Sequence, residues 1–140
     1  MKHLHTTIEI DATPQRVWQV LTDFAAFPQW NPFITKIQGK AEQGAKLSVT
    51  LQGMTIGPTV VKADANKELR WRGRLGMPGV FDGEHYFMLE EIAPGKTRFV
   101  HGERFTGVLV PVVGLVGVLK STHMAFLEMN QALKDRAEAR

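Results

Sequence analysis

The chain has 140 residues, enough for one substantial hydrophobic core, and we expect a single domain spanning residues 1–140. Its 17 basic and 14 acidic side chains leave a net charge of +3 and are scattered along the chain, which argues against nucleic acid as a partner. The sequence contains no cysteine, so disulfides, thiol nucleophiles and cysteine-ligated metals are excluded.

The apolar segments of the sequence bear on the compartment. Residues 1–5 lack the apolar segment of a signal peptide. The most apolar run, residues 108–119, is well short of the roughly 20 residues that a membrane-spanning helix needs. We therefore expect a cytoplasmic protein without membrane insertion, and the lack of cysteine is compatible with a reducing compartment.

The N-terminal third predicts one strand followed by two short helices. Residues 3–10 alternate between apolar and polar, as in a half-buried strand. Thr13 is a predicted N-cap for a helix beginning at Pro14. Apolar residues follow at helical spacing: Val17, Val20, Leu21 and Phe24. The two prolines within residues 25–32 bend the chain, so a second short helical or turn segment is expected there.

The middle of the chain is predicted to form strands joined by short turns, which favours an antiparallel sheet. The predicted strands are 34–39, 47–52, 59–65, 69–75, 81–92 and 98–105. Gly53 and the Gly57–Pro58 pair are predicted to break the chain after the strand 47–52.

The C-terminal segment predicts one long amphipathic helix over residues 111–140, with Pro111 in its first turn. Its apolar stripe recurs at spacings of three and four: Leu115, Leu119, Thr122, Phe126, Met129, Leu133 and Ala137. Such a stripe needs a broad surface to cover it. We therefore expect an α+β fold in which a curved antiparallel sheet of about seven strands wraps around this helix, with two short helices after the first strand.

Three polar residues, His85, His101 and Glu103, lie on otherwise apolar strand faces. One interpretation is a satisfied internal network, or a polar anchor for a ligand. The other is a general acid/base pair in which Glu103 orients a histidine. The spacing of these residues is not typical of a metal site, and no nucleotide-binding or hydrolase motif occurs, so we predict neither metal nor cofactor.

Aromatic residues are dense on the predicted strands and around the bends that precede them. They fit either a plain core or the wall of a ligand pocket. The set comprises Trp30, Phe33, Trp71, Phe81, Phe87, Phe99 and Phe105. On the long helix, His123 either reaches the same interior or lies on the helix surface. Arg70, Arg72 and Arg74 are expected on the solvated outer face of the sheet.

Several motifs carry a resemblance to a known family. They are Ile8-Glu9-Ile10-x-Ala12-x-Pro14-x-x-Val17-Trp18, Phe27-Pro28-x-Trp30-Asn31-Pro32-Phe33, Gly83-Glu84-His85-x-Phe87-x-Leu89 and Thr97-Arg98-Phe99-x-His101-x-Glu103-x-Phe105-x-Gly107. With the terminal helix, they make the chain resemble the START/Bet v 1-like (SRPBCC) superfamily, specifically its polyketide cyclase/dehydrase and lipid-transport group. Members of this superfamily include aromatase/cyclases, ligand carriers and hormone sensors, so the resemblance does not choose one activity.

The resemblance implies a helix-grip fold with an apolar cavity between sheet and helix. The positions it places along the cavity or its rim are Trp30, Asn31, Trp71, His85, Phe87, His101, Glu103 and Phe105. From these residues and the aromatic set, we predict a ligand-binding group of Trp30, Asn31, Phe33, Trp71, Phe81, Phe87, Phe99, Phe105, His123 and Phe126.

Two functional hypotheses lead. The first is a module that binds a hydrophobic small molecule, such as a polyketide, lipid or isoprenoid. The second is a polyketide cyclase/aromatase- or dehydratase-type enzyme in which His85, His101 and Glu103 are catalytic. A weaker third is a protein-interaction domain. Either a monomer or a homodimer is compatible with the sequence.

Overall fold

The computed structural model describes residues 2–74, 82–107 and 115–139, and within these ranges eight strands accompany the helices. The strands are β1 (Lys2–Ile10), β2 (Ile34–Gln38), β3 (Ser48–Leu51), β4 (Met54–Ile56), β5 (Thr59–Asp64), β6 (Glu68–Arg74), β7 (Asp82–Ala93) and β8 (Lys96–Thr106). The helices are α1 (Pro14–Thr22), α2 (Phe27–Trp30) and α3 (Leu115–Glu138), with a short 3-10 turn at Phe24–Ala26. The predicted order of elements is confirmed, with one strand, β4, added to it.

All strand pairs are antiparallel, as predicted from the short turns. One sheet has the order β1-β8-β7-β6-β5 and the other has the order β2-β3-β4. Backbone hydrogen bonds join the two, because Leu47 N donates to Pro58 O and Val60 N donates to Ala45 O. The two sheets together form the curved surface of the predicted α+β helix-grip fold.

The segment 53–58 differs from its prediction. Gly53 follows the end of β3 as expected, but the chain then forms a strand that was not predicted, β4, which pairs with β3. Gln52 and Gly53 have φ values of 48° and 76°, the left-handed backbone of a tight hairpin turn. Gly53 therefore reverses the chain into a new pairing instead of ending the sheet there.

Helix α1 begins as its sequence predicts. The hydroxyl of Thr13 accepts a hydrogen bond from Arg16 N at 3.2 Å, and Pro14 occupies the first turn. Arg16 then crosses to α3, where its guanidinium donates to three backbone oxygens at the C-terminal end, those of Arg136, Ala137 and Ala139. These contacts fasten α1 to α3 and satisfy carbonyl groups that the helix itself leaves unpaired.

Helix α3 lies on the inner face of the sheet with its predicted stripe buried. Thr122, Phe126, Met129, Leu133 and Ala137 are all buried. Leu119 is half-buried, the side chains of residues 115–118 are outside the description, and so is the predicted first turn at Pro111. No helix in the described ranges is long and apolar enough to cross a membrane.

Candidate functional site

The register of the central strands brings the predicted polar residues together. His85 on β7 pairs with Trp71 on β6 and with Glu103 on β8, while His101 pairs with Phe87. Because side chains alternate along a strand, all five point to the inner face, toward α3. The sequence prediction that His85, His101 and Glu103 share one interior is thus confirmed in its geometry.

A chain of hydrogen bonds crosses this interior from β1 to β7. The hydroxyl of Thr6 donates to the backbone oxygen of His101 at 2.7 Å, and Asn130 Nδ2 donates to Thr6 Oγ1 at 2.8 Å. Asn130 Oδ1 lies 2.8 Å from His101 Nδ1, and His101 Nε2 lies 2.7 Å from His85 Nε2. All four side chains are buried, so every polar group in this chain has a partner in place of water.

His101 lies in the middle of this chain of hydrogen bonds, and its side chain is fully buried. Burial lowers the pKa of His101 well below its usual value, and the neighbouring His85 lowers it further, while the hydrogen bond to Asn130 opposes both effects. A buried cation without a paired anion is costly, which is the physical reason for this direction. His101 is therefore a neutral imidazole at neutral pH.

Glu103 stands at the other end of the polar group. Its Oε1 lies 3.4 Å from His85 Nδ1, and its side chain is 18% exposed against 5% for His85. Gly83 of β7, whose partner on β8 is Phe105, leaves space for the Glu103 side chain. A Cβ at Gly83 would lie 2.6 Å from Glu103 Oε2. The carboxylate is thus the most accessible member of the polar group.

Aromatic rings enclose the two histidines. Phe126 of α3 stacks on His101 with a centroid distance of 3.9 Å and an interplanar angle of 10°. Trp71 stacks on His85 at 5.3 Å, and Phe33 lies 6.3 Å from the same ring. Phe87 is 4.8 Å from both imidazoles. The site is a polar pair within an aromatic cage formed by the sheet, α3 and the segment after α2.

Two further predicted ligand-binding residues, Phe99 and Phe105, are buried in different apolar clusters. Phe99 is buried next to the aromatic cage and stacks with Phe87. Phe105 belongs to a separate small cluster with Leu4 and Leu119. Phe81 lies outside the described residues.

Trp30 and Asn31 sit at the end of α2. Asn31 is buried, and its Oδ1 accepts hydrogen bonds from Phe33 N at 2.9 Å and Ile34 N at 2.8 Å. Trp30 is half-buried against Phe27. The Asn31 Nδ2 and Trp30 Nε1 donors are buried without a protein partner. Two adjacent unpaired donors are unusual in a folded interior.

His123 is the one predicted ligand-binding residue that the described structure places away from the interior. It is exposed, whereas its neighbour Thr122 is buried. On a helix, adjacent residues point about 100° apart, so both cannot face the sheet. The alternative that His123 lies on the helix surface is correct.

Arg70 and Arg72 lie on the outer face of the sheet, as the sequence predicts, and the structure adds that both are paired with carboxylates. Arg70 contacts Glu68 at 2.8 Å and Glu84 at 3.1 Å, and Arg72 contacts Glu84 at 3.0 Å. Hydrogen bonds from both arginines lower the pKa of Glu84 against the opposing effect of burial. In the described ranges, no three histidine, aspartate or glutamate side chains are arranged to hold a metal ion.

Two residues of the site, Thr6 and Asn130, escaped the sequence analysis, and the role of Gly83 beside Glu103 was not predicted although the residue belongs to one of the family motifs. Thr6 and Asn130 are small polar residues on amphipathic elements. Asn130 follows Met129 of the apolar stripe, and one polar residue beside such a stripe carries no signal by itself. A signal was available at Thr6, which occupies an inward position between Leu4 and Ile8 in the alternation of β1.

The family comparison covers nearly the whole chain. A family model described as "Polyketide cyclase / dehydrase and lipid transport" matches residues 1–138. No curated protein matches the chain.

Solved structures share the fold at low identity. A hypothetical protein from Helicobacter pylori is 15% identical with a TM-score of 0.81, covering 98% of this chain and 88% of that one. A START superfamily protein from Mycobacterium smegmatis is 23% identical with a TM-score of 0.75, covering 97% of each chain. The Zhui aromatase/cyclase from Streptomyces sp. R1128 is 19% identical with a TM-score of 0.71, covering 98% of this chain and 93% of that one. These likenesses establish the fold.

Proposed function

We propose, because the chain belongs to the polyketide cyclase/dehydrase and lipid transport family, that it binds a hydrophobic small molecule between the inner sheet face and α3. A polyketide, a lipid or an isoprenoid-like compound fits this description. The observation that carries the proposal is a polar pair, His85 and His101, enclosed by aromatic rings on an otherwise apolar face. Small-molecule sites typically combine apolar walls with a few placed polar groups.

The proposed lining follows from the same geometry. Trp71, Phe33 and Phe126 would provide apolar contact, and Glu103 the accessible polar group. Trp30 and Asn31 are proposed at the rim, since their unpaired N–H groups are suited to an acceptor oxygen. We further propose that residues 1–140 act as one domain, in the cytoplasm, as a monomer or homodimer and without a nucleic-acid partner.

A second candidate is an enzyme of the polyketide cyclase/aromatase or dehydratase type. The specific observation in its favour is the continuous hydrogen-bonded path from Thr6 to His85, with Glu103 next to it. In this hypothesis, Glu103 and His85 exchange protons with the substrate while His101 orients His85. The cage would hold a flexible substrate in one folded geometry.

Native mass spectrometry of the freshly purified protein tests the binding proposal. We expect a stoichiometric adduct that is lost on denaturation, and extraction into organic solvent would then reveal its chemical class. A protein that carries no adduct and binds neither fatty acids nor polycyclic aromatic probes would refute the proposal.

Tryptophan fluorescence locates the bound molecule. Trp71 contacts the cage, whereas Trp18 lies on α1. We expect the ligand-induced change in emission to be reduced in Trp71→Phe, with Trp30 at the proposed rim supplying the remainder, and to be kept in full in the matched control Trp18→Phe. A change that instead disappears with Trp18 would place the ligand elsewhere.

A turnover measurement separates the two candidates. Glu103→Gln preserves the shape of the side chain but removes its proton chemistry. With the extracted compound or its linear polyketide precursor as substrate, an enzyme would lose most of its rate in this variant while still binding. A carrier would show no turnover in either protein.

A further inference from the structure

The hydrogen-bond chain through the site has a direction, and a backbone carbonyl determines it. The oxygen of His101 carries no hydrogen, so the Thr6 hydroxyl must donate to it. Having used its only proton, Thr6 Oγ1 can only accept from the neighbouring atom of Asn130, which must therefore be the amide nitrogen. Asn130 Oδ1 consequently faces His101.

This direction selects the tautomer of His101. Because Asn130 Oδ1 is an acceptor, His101 Nδ1 must carry a proton. The ring is fully buried and neutral, so its Nε2 is left without a proton and can only accept. The 2.7 Å contact between the two Nε2 atoms is therefore a bond that His85 donates and His101 accepts.

The last link of the chain is His85 Nδ1 beside Glu103. His85 carries its proton on Nε2 and donates it in a hydrogen bond to His101. A neutral His85 therefore has no proton on Nδ1, and the Nδ1 lone pair would face Glu103 Oε1, 3.4 Å away. A lone pair and a carboxylate oxygen at this separation repel each other in a poorly hydrated site. A proton between them removes the repulsion, whether it resides on the imidazole or on the carboxyl group.

We propose that Thr6 and Asn130 are positioning residues that orient this chain so that one proton lies between His85 and Glu103, and that Glu103 Oε2, which keeps its lone pairs whichever group holds that proton, accepts a hydrogen bond from a hydroxyl group of the ligand. The ligand class is thus an apolar molecule with a hydroxyl group, not a pure hydrocarbon chain. This inference rests on the proposed function, because it assigns the polar contact within that same site.

The position of Glu103 supports the acceptor role. The carboxylate is partly exposed, whereas His85 and His101 are buried behind it. On its strand, Glu103 lies between His101, which stacks on Phe126 of the main core, and Phe105 of the small separate cluster. It is therefore the polar group nearest to the boundary between two apolar regions, where an apolar ligand with one oxygen would be recognised.

Nitrogen-15 NMR on histidine-labelled protein tests the proton positions without any ligand. We expect His101 to show a protonated Nδ1 and a bare Nε2, and His85 a protonated Nε2. His85, His101 and Glu103 are the titratable groups that face one another here, from β7 and β8. The elements packed against them contribute Thr6, Asn130 and the aromatic rings. The opposite tautomer of His101 would overturn the proposal.

Matched substitutions test the positioning role. Thr6→Val removes the hydroxyl and lets the Asn130 amide rotate, so the second tautomer of His101 should appear, whereas Thr6→Ser should retain the original one. Asn130→Ala should have the same effect as Thr6→Val. Gln131→Ala, an exposed neighbour on α3, is its control. An unchanged His101 tautomer in both Thr6→Val and Asn130→Ala would contradict the positioning role.

Two probes that differ only in a hydroxyl group test the acceptor role, namely 1-(2-naphthyl)ethanol and 2-ethylnaphthalene. The wild-type protein should bind the alcohol about tenfold more tightly, the effect of one hydrogen bond to a charged acceptor. Glu103→Gln and Thr6→Val should reduce this preference and leave binding of the hydrocarbon unchanged, while the exposed control Glu128→Gln should retain it. Equal affinities in the wild type would overturn this inference alone. Failure of both probes to bind would count against the proposed function itself.

Discussion

Alanine at Gly83 or at Gly102 would meet different atoms, although the two glycines lie on neighbouring strands. A Cβ at Gly83 would lie 2.6 Å from Glu103 Oε2, the end of a flexible side chain. A Cβ at Gly102 would collide with the hydroxyl of Tyr86 and lie 2.7 Å from the backbone oxygen of Leu4. A backbone atom within a sheet cannot move without breaking the ladder, so the two substitutions should differ sharply in cost.

The structure allows a magnitude for each substitution. Gly102→Ala overpacks a rigid contact and should lower the free energy of unfolding by about 3 kcal/mol, the upper end of the usual range. Gly83 is not among the glycines with positive φ, so alanine there restricts the unfolded chain and gains about 0.4–1 kcal/mol. This gain is comparable to the cost of moving Glu103, and the net change should be close to zero.

Urea unfolding monitored by tryptophan fluorescence measures both effects. With a slope of about 2 kcal/mol per M, Gly102→Ala should shift the midpoint by about 1.5 M, and Gly83→Ala by less than about 0.3 M. Despite its stability, Gly83→Ala should lose the preference for the alcohol probe because Glu103 Oε2 is displaced. Equal destabilisation by both substitutions would refute the distinction between a flexible and a rigid neighbour.

Three further predictions concern the core, the helix junction and pH. Phe126→Ala should lower the free energy of unfolding, measured in urea, by about 3–5 kcal/mol, because the ring is buried against His101 and Phe33. The control Leu127→Ala, on the exposed face of α3, should lower it by less than about 1 kcal/mol. Similar costs for the two variants would mean that α3 packs by another face. Arg16→Ala should lower the free energy of unfolding by about 1 kcal/mol and speed hydrogen exchange in the last turn of α3, because Arg16 hydrogen-bonds to the backbone oxygens there. A variant unaffected in both measurements would contradict this capping role. Because burial lowers the pKa of His101 in the folded state, the unfolded chain binds the extra proton first. Stability should thus be fully present above about pH 6.5, the unfolded pKa, and be lost as the pH falls toward the folded value. His101→Gln should flatten this part of the pH profile, and an unchanged profile would show that another group is responsible.

The sequence predicted the elements well because each leaves a local periodic signal. The boundaries of the seven predicted strands agree with the structure to within one or two residues wherever those residues are described. The inner and outer faces of β6 to β8 were likewise predicted from alternation, which is why the partnership of His85, His101 and Glu103 could be expected. The strand β4 was missed because three residues are too few to produce a pattern.

What the sequence by itself determined is the α+β architecture, the apolar stripe of α3 and the inward direction of the polar strand residues. All of these follow from periods of 3.6 and 2 residues along the chain. Only the tertiary structure decided which of these groups touch one another. Thr6 and Asn130 are 124 residues apart in sequence, and the direction of their hydrogen bond depends on the backbone oxygen of His101 on a third element. His123 and Thr122 show the same limit at short range, because a helix can turn only one of two adjacent residues toward the sheet. Hydrogen bonds depend on distances of a few tenths of an ångström between remote segments, and such distances are set by packing, not by local pattern.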